Sequence, residues 1–254
     1  MNKEIPLLYG SPKDKALFTP RDFLGHRNVN PQVDIAVMYF CDKFDKLVRK
    51  KYPTITDRKF YSDKNFKPAI INKKRIAFIK SEIGGASCGA SLEELIASGT
   101  KQVFFIGSCG TLQNLPIGSV IIPTKAIRDE GTSYHYATPS KYSYADKKLT
   151  QKLGQFCKEK NINFKTGTTW TTDAPYRETI KKVKRYVQEN VLCVEMEAAS
   201  LFAIAKYRKI PIAGIFWVSD QLLQEWKPAF TSNEYKDGAK IVFGIIDTIL
   251  TNQN

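Results

Sequence analysis

VLCVEMEAASLFAIAKYRKIPIAGIFWVSDQL, residues 191–222, is the stretch on which the fold turns. Two acids, Glu195 and Glu197, precede an apolar run (Ala198, Ala199, Leu201, Phe202, Ile204, Ala205) whose i, i+3, i+4 and i+7 partners share one helical face. Residues two apart on a helix point about 200° apart, so the two acids cannot serve one site from inside a regular helix. The spacing predicts a loop entering a helix, with one or both carboxylates at its first turn. Pro211 then opens a second apolar run, Ile212–Val218, read as a buried strand ending in Ser219-Asp220. An acid at the carboxyl end of such a strand sits where open α/β sheets keep their chemistry. The plain alternative is that the acids only complement a helix dipole or cap a turn.

Outward from there, strand and helix patterns alternate. Strands are predicted at Asp34–Phe40, Arg75–Lys80, Val103–Ile106, Ile117–Pro123 and Phe164–Thr172, and helices at Asp42–Lys51, Ser91–Ser98, Asp146–Lys160, Ile180–Glu189 and Asp237–Thr251. Tyr52–Lys67 is polar and turn-rich and reads as a hairpin arm. No repeat, low-complexity tract or linker interrupts the pattern. The expected class is α/β, a single domain over residues 1–254 with a parallel or mixed sheet.

Composition removes several function classes. No apolar segment is long enough to span a bilayer, and the first residues lack a secretory apolar core. Five scattered cysteines and two histidines, His26 and His135, form no CxxC or Cys/His cluster. Reduced thiols in a cytoplasmic protein are expected, with no metal site. The formal charge of +14 raises nucleic-acid binding, but the lysines are dispersed and no RNA motif or helix-turn-helix accompanies them, so that is not the expected function. A positive field also draws small anions such as phosphate.

Gly107-Ser108-Cys109-Gly110-Thr111 follows the buried strand Val103–Ile106 and reads as a turn whose N–H groups face an anion, although no P-loop or GxGxxG is present. A Ser108/His135/Asp220 triad lacks the GxSxG elbow. Arg128, Asp129, Glu130 and His135 are compatible with a plain surface loop.

Taken together, IGSCGTL, IRDEGTSYHY, VEMEAASLFAIA and VSDQ resemble the nucleoside phosphorylase-I superfamily. Residues 75–222 are most similar to uridine phosphorylase, including an R-x-[DE]-G-[AT]-S-x-H pattern at 128–135. The resemblance implies a mixed, distorted central sheet flanked by helices. It implies dimers built into larger rings, up to hexamers, with a neighbouring subunit contributing to each site. The implied reaction is phosphate-dependent cleavage of a uridine- or purine-type ribonucleoside, with inorganic phosphate as co-substrate and no metal or organic cofactor. Glu197 resembles the carboxylate on the ribose hydroxyls, Met196 the thioether under the sugar and Glu195 the first acid of that motif. Ser108 matches a phosphate-holding hydroxyl, and Asp220 the acid that protonates a leaving purine. His135 belongs to the 128–135 pattern and is an expected substrate contact. Tyr176 stands where the family places a base-stacking aromatic, and Arg177 is a candidate reader of a base carbonyl.

Two departures bear on phosphate. Phe105 stands where the family carries a phosphate-binding arginine. The N-terminal P-G-D-P-x-R motif appears as Tyr9-Gly10-Ser11-Pro12-Lys13-Asp14, with an acid in place of its arginine. Lys13, Lys15 or Arg58, the last at the position of an arginine lent across the subunit interface, are the expected substitutes, and Gly10 is a further expected phosphate contact. The same departures favour a nucleoside hydrolase on this scaffold, and the acid at 220 favours a purine where the 128–135 pattern favours uridine.

Overall fold

The computed structural model describes residues 5–26, 32–53 and 68–252. The elements, in order, are α1 (Pro20–His26), β1 (Ile35–Tyr39), α2 (Asp42–Lys51), β2 (Ala69–Ile71), β3 (Lys74–Lys80), α3 (Gly85–Ala97), β4 (Gln102–Thr111) and β5 (Val120–Asp129). They continue with β6 (Tyr142–Tyr144), α4 (Lys147–Glu159), β7 (Phe164–Thr172), α5 (Ile180–Gln188), β8 (Cys193–Glu195), α6 (Ala198–Arg208), β9 (Ile212–Gln221), β10 (Lys227–Pro228) and α7 (Asn233–Thr251). Short 3-10 turns cover Pro6–Leu8, Thr132–His135 and Pro175–Arg177.

All ten strands join one mixed sheet. Part of it closes on itself: β4 pairs with β9, β9 with β5, β5 with β7, β7 with β8, and β8 returns to β4. From β4 the sheet extends as β1, β3 and β2, while β6 pairs with β5 and β10 with β9. This is the mixed, distorted sheet flanked by helices that the resemblance implies. One cluster of core side chains packs on α2, α4 and α7, a second on α3 and α6, and a smaller third around Trp170 on α5. Strands covered on both faces carry near-continuous apolar runs; β1 is buried at every residue and β9 at all but its last.

α6 is apolar all round because it lies inside: every residue from Ala198 to Ala205 is buried. A helix in that position needs no polar face, and its alanines and Ser200 let it approach α3 and the sheet closely. It ends at Lys209 in the left-handed conformation, φ 59°, a common way to stop a helix.

Three expectations are corrected. Gly107–Thr111 is not an anion-cradling turn but the second half of β4, with its backbone in ladders to β9 and β8. Its small residues answer to crowding: a Cβ on Gly110 would stand 2.3 Å from Leu222 Cδ1 and 3.0 Å from Asp220 Oδ2. α3 begins at Gly85, six residues before the predicted start at Ser91. Arg128 is no surface residue; it is 4% exposed and donates to Ser133 Oγ, Ser140 Oγ and the carbonyls of Ala137 and Thr138, pinning the segment after β5.

Candidate active site

β4 changes neighbour along one edge, and the site forms where it does. Gln102–Ile106 pair with β1, whereas Gly110 and Thr111 pair with β8. Between them Gly107, Ser108 and Cys109 face a split at the carboxyl end of β1, the kind of crevice in which α/β sheets bind ligands. Gly110 lies between Val194 of β8 and Asp220 of β9 in the ladder. With strands about 4.8 Å apart, the acid-bearing ends of β8 and β9 stand roughly 10 Å apart across β4.

At one side of this crevice, the junction between β8 and α6 holds Glu195 and Glu197. Glu195 ends the strand and Glu197 is the residue before the helix, so neither lies inside it. Glu195 Oε1 accepts from Thr171 Oγ1 at 2.6 Å and Thr169 Oγ1 at 3.2 Å; Oε2 accepts from the N–H groups of Ala198 at 2.6 Å and Glu197 at 2.8 Å. Both oxygens are engaged by protein donors, so Glu195 fixes the start of α6 and has the geometry of a positioning group. Glu197 Oε1 accepts from the Gly84 N–H at 2.7 Å and Oε2 from the Met196 N–H at 3.2 Å, which leaves each oxygen a further lone pair. Gly84 makes the first contact possible from a φ of 100°, a conformation that glycine adopts without strain. Burial pushes both carboxyls up. Burial, and then the neighbouring charge of Glu195, raise Glu197 to about 8; four donors oppose the rise in Glu195. Met196, between them, is half-buried.

Asp220 closes the opposite side from within β9. The β4–β9 register slips between Cys109 and Gly110, so Ser219 is skipped in the pairing. Its hydroxyl lies 2.7 Å from Asp220 Oδ1 and 3.1 Å from the Cys109 carbonyl. Oδ2 accepts from the indole Nε1 of Trp226 at 2.9 Å. Nearby, burial and the charge of Asp220 push the Glu178 carboxyl up to about 7. Sequence reading missed both Glu178 and Trp226: each lies in a polar loop and reaches Asp220 only because the loop folds back. Tyr176 and Arg177, just before Glu178, are exposed.

Ser108 is half-buried and meets Tyr235 of α7. Tyr235 lines a cavity of about 470 Å³ with Phe40, Lys43, Lys80, Ser81 and Ile83, next to the Gly84 N–H that binds Glu197. Lys80 is paired with Asp42. Lys13, an expected phosphate cation, is elsewhere, and the two departures from the family pattern are explained by their surroundings. Phe105 is fully buried between Phe202 and Phe216, with ring centroids at 5.5 and 5.6 Å, and its ring covers Gly214. The Ser11 N–H is taken by Asp14 Oδ2 at 2.6 Å, so the N-terminal turn satisfies itself with its own acid. Ser11, Pro12 and Asp14 of that turn, which also holds Gly10 and Lys13, line a different cavity of about 510 Å³ with His135, Tyr136, Glu93 and Arg208. The structure thus gathers Glu195, Met196, Glu197, Ser108 and Asp220 around β4 and leaves Gly10, Lys13 and His135 outside that group. Arg58 lies outside the described residues. Among these, no group of His, Cys, Asp and Glu has the arrangement of a metal site.

The profile of the phosphorylase superfamily matches residues 35–251. The chain belongs to that superfamily. A purine nucleoside phosphorylase from Plasmodium vivax is 31% identical over 140 residues, 54% of this chain and 57% of its own length. A uridine phosphorylase from Haemophilus influenzae is 29% identical over 149 residues, 53% of this chain and 59% of its length. The matches therefore span little more than half of these relatives. A 5′-methylthioadenosine/S-adenosylhomocysteine nucleosidase from Campylobacter jejuni shares the fold, with a TM-score of 0.73 and 22% identity over 87% of this chain and all of that one. No helix among the described residues is long and apolar enough to cross a membrane.

Proposed function

We propose that the protein cleaves the N-glycosidic bond of a ribonucleoside by phosphorolysis, giving free base and ribose 1-phosphate. The observation that carries this reading is the pair of acid stations on either side of β4: Glu197, with open acceptor positions, at the junction that follows β8, and Asp220 in β9. Bond breaking puts positive charge on the sugar and negative charge on the base. Glu197 accepts from the ribose hydroxyls and holds the ring, and Met196 packs under it. Asp220 delivers a proton to the departing base, with Glu178 as a second acid whose pKa near neutrality suits such a transfer. A purine has the ring nitrogen that such a proton needs, so a purine nucleoside is the preferred substrate and uridine the second. Phosphate attacks from the side of Ser108 and the Lys43/Lys80 cavity. Tyr176 and Arg177 border the base end. No cofactor takes part, and a homo-oligomer built from dimers supplies further cations from the neighbouring chain.

Hydrolysis is the second reading, favoured by Phe105 in the core and Asp14 on its own turn. Each charge-assisted bond missing from a phosphate dianion is worth about 1.5–3 kcal/mol. Assay of Asp220→Asn with inosine and uridine tests the shared part of both readings. Base release should fall at least about 100-fold while the nucleoside still binds; unaltered turnover would remove Asp220 from the reaction.

A further inference from the structure

A cavity of about 420 Å³ lies at the amino end of β9, bordered by Ile212, the last turns of α6, the first residue of α4 and the end of β6. Asp220 stands eight residues along the same strand, about 26 Å away at the rise of a β-strand. Lys147, Lys206 and Lys209 surround the cavity, and the one acid on its lining, Asp146, accepts from the Leu149 N–H at 2.8 Å. None of these three lysines has an ion pair among the described residues, whereas Lys101, Lys141 and Lys182 each hold a carboxylate. Local structure accounts for only one of them. Lys206 is in the last turn of α6, where the helix dipole favours a cation. Lys147 opens α4, a helix with no acid in its first turn, where the dipole disfavours a cation. Lys209 ends α6 at φ 59°, a place suited to glycine or asparagine; after α4 and α5 the same left-handed conformation falls to Asn161 and Asn190. Three like charges around one cavity repel, and an anion among them removes that cost.

We infer that this cavity is a second ligand site, for a nucleoside polyphosphate. Its volume lies within the range of small-molecule sites, about 300–1,000 Å³. The ammonium groups come from three separate places in the chain, so an extended anion meets all of them where a single carboxylate does not. Lysine meets phosphate as a point charge, without the fixed fork that arginine presents to one planar group. Tyr144, at the end of β6, is 55% exposed on the rim and offers a ring on which a base stacks. The phosphate chain lies among the lysines and the base on Tyr144. The site is separate from the crevice around β4, and the inference does not depend on the reaction carried out there.

Calorimetry on the full chain tests this at about 0.15 M salt, with magnesium-free ATP, tripolyphosphate and orthophosphate as probes. ATP should bind saturably and more tightly than tripolyphosphate, and orthophosphate most weakly. Lys206→Gln combined with Lys209→Asn removes two charges, and asparagine is at ease in the left-handed conformation. That variant should weaken ATP binding at least about tenfold. Lys158→Gln combined with Lys165→Gln removes the same charge from the far end of α4 and from β7. It should change the affinity by less than about twofold, since salt screens exposed charges beyond short range. Equal losses in the two variants would reduce the effect to net charge and overturn the site. Binding that Lys206→Gln/Lys209→Asn leaves intact would put ATP in the crevice instead, and no binding at all would end the inference. Tyr144→Leu should erase the advantage of ATP over tripolyphosphate; equal affinities for the two in the unsubstituted protein would strike the nucleoside from the assignment.

Discussion

At the start of α6 every carboxylate oxygen has a named protein donor: Thr169, Thr171, Glu197 and Ala198 on Glu195, and Gly84 and Met196 on Glu197. On the phosphate side the contrast is complete. Phe105 fills the core where a cation was expected, and Asp14 closes its own turn. The end proposed to hold the sugar is thus a buried network of hydrogen bonds made within one chain. At the proposed anion end, Ser108 meets Tyr235, which borders an open cavity where Lys43 and Lys80 stand beside Asp42 and Glu82, with Lys80 paired to Asp42. Buried acids cost several kcal/mol unless they are paired or hydrogen-bonded, so a network kept at that cost marks the part of the site where geometry matters most.

The sharpest way to break the comparison is to try to restore the missing cation. Phe105→Arg would put a guanidinium among Phe202, Phe216 and Gly214, and should destabilise the fold by about 3–5 kcal/mol or prevent soluble expression. Urea unfolding measures it. An unchanged midpoint with stronger phosphate use would show that the core was a vacant phosphate site after all. Next in size, Glu197→Gln should lower kcat/KM for a ribonucleoside by about 100-fold, with steady-state rates on ribose and 2′-deoxyribose substrates as the check. If the two sugars are affected equally, Glu197 is not reading the 2′-hydroxyl.

Smaller effects probe the anion end and the protonation of the sugar end. Lys43→Ala should raise the KM for phosphate about tenfold, the worth of one charged hydrogen bond, and leave nucleoside binding without phosphate unchanged. Equal KM values would clear Lys43 of any part in it. Because the folded Glu197 carboxyl is raised to about 8, its contribution to stability is complete below about pH 4.5 and is lost as pH rises through 8. Stability in denaturant should fall across that window by at most about 1.4 kcal/mol per pH unit. Glu197→Gln should flatten the slope. A slope identical in both proteins would mean that Glu197 is ionised throughout.

Where local chemistry decides an element, the chain announces it. α2 and β7 carry the bounds expected from their patterns, and α4 and α5 differ only at their ends, where Asp146 and Thr179 cap the first N–H groups with their side chains. Gly107–Thr111 misleads for a physical reason. Glycine, serine and threonine compose turns, yet here distant strands on both sides need small residues between them. The three-residue β8 is too short to show alternation, and the small-residue start of α3 is set by packing against Ser200, whose Oγ would be 2.2 Å from a Cβ on Gly85. Glu195, Glu197 and Asp220 stand out as acids beside apolar runs. Their division of labour does not, since the saturation of Glu195 depends on threonines of β7. Glu178 and Trp226 are invisible in the chain because their meaning comes from two separate loops, one after β7 and one after β9, that both approach Asp220.

The most direct test is release of free base from inosine, adenosine, methylthioadenosine and uridine, measured with and without inorganic phosphate. Phosphorolysis predicts that release requires phosphate, yields ribose 1-phosphate and is faster for a purine nucleoside. Release at the same rate in phosphate-free buffer would contradict it, and would make Phe105 and Asp14 the residues that had marked a hydrolase.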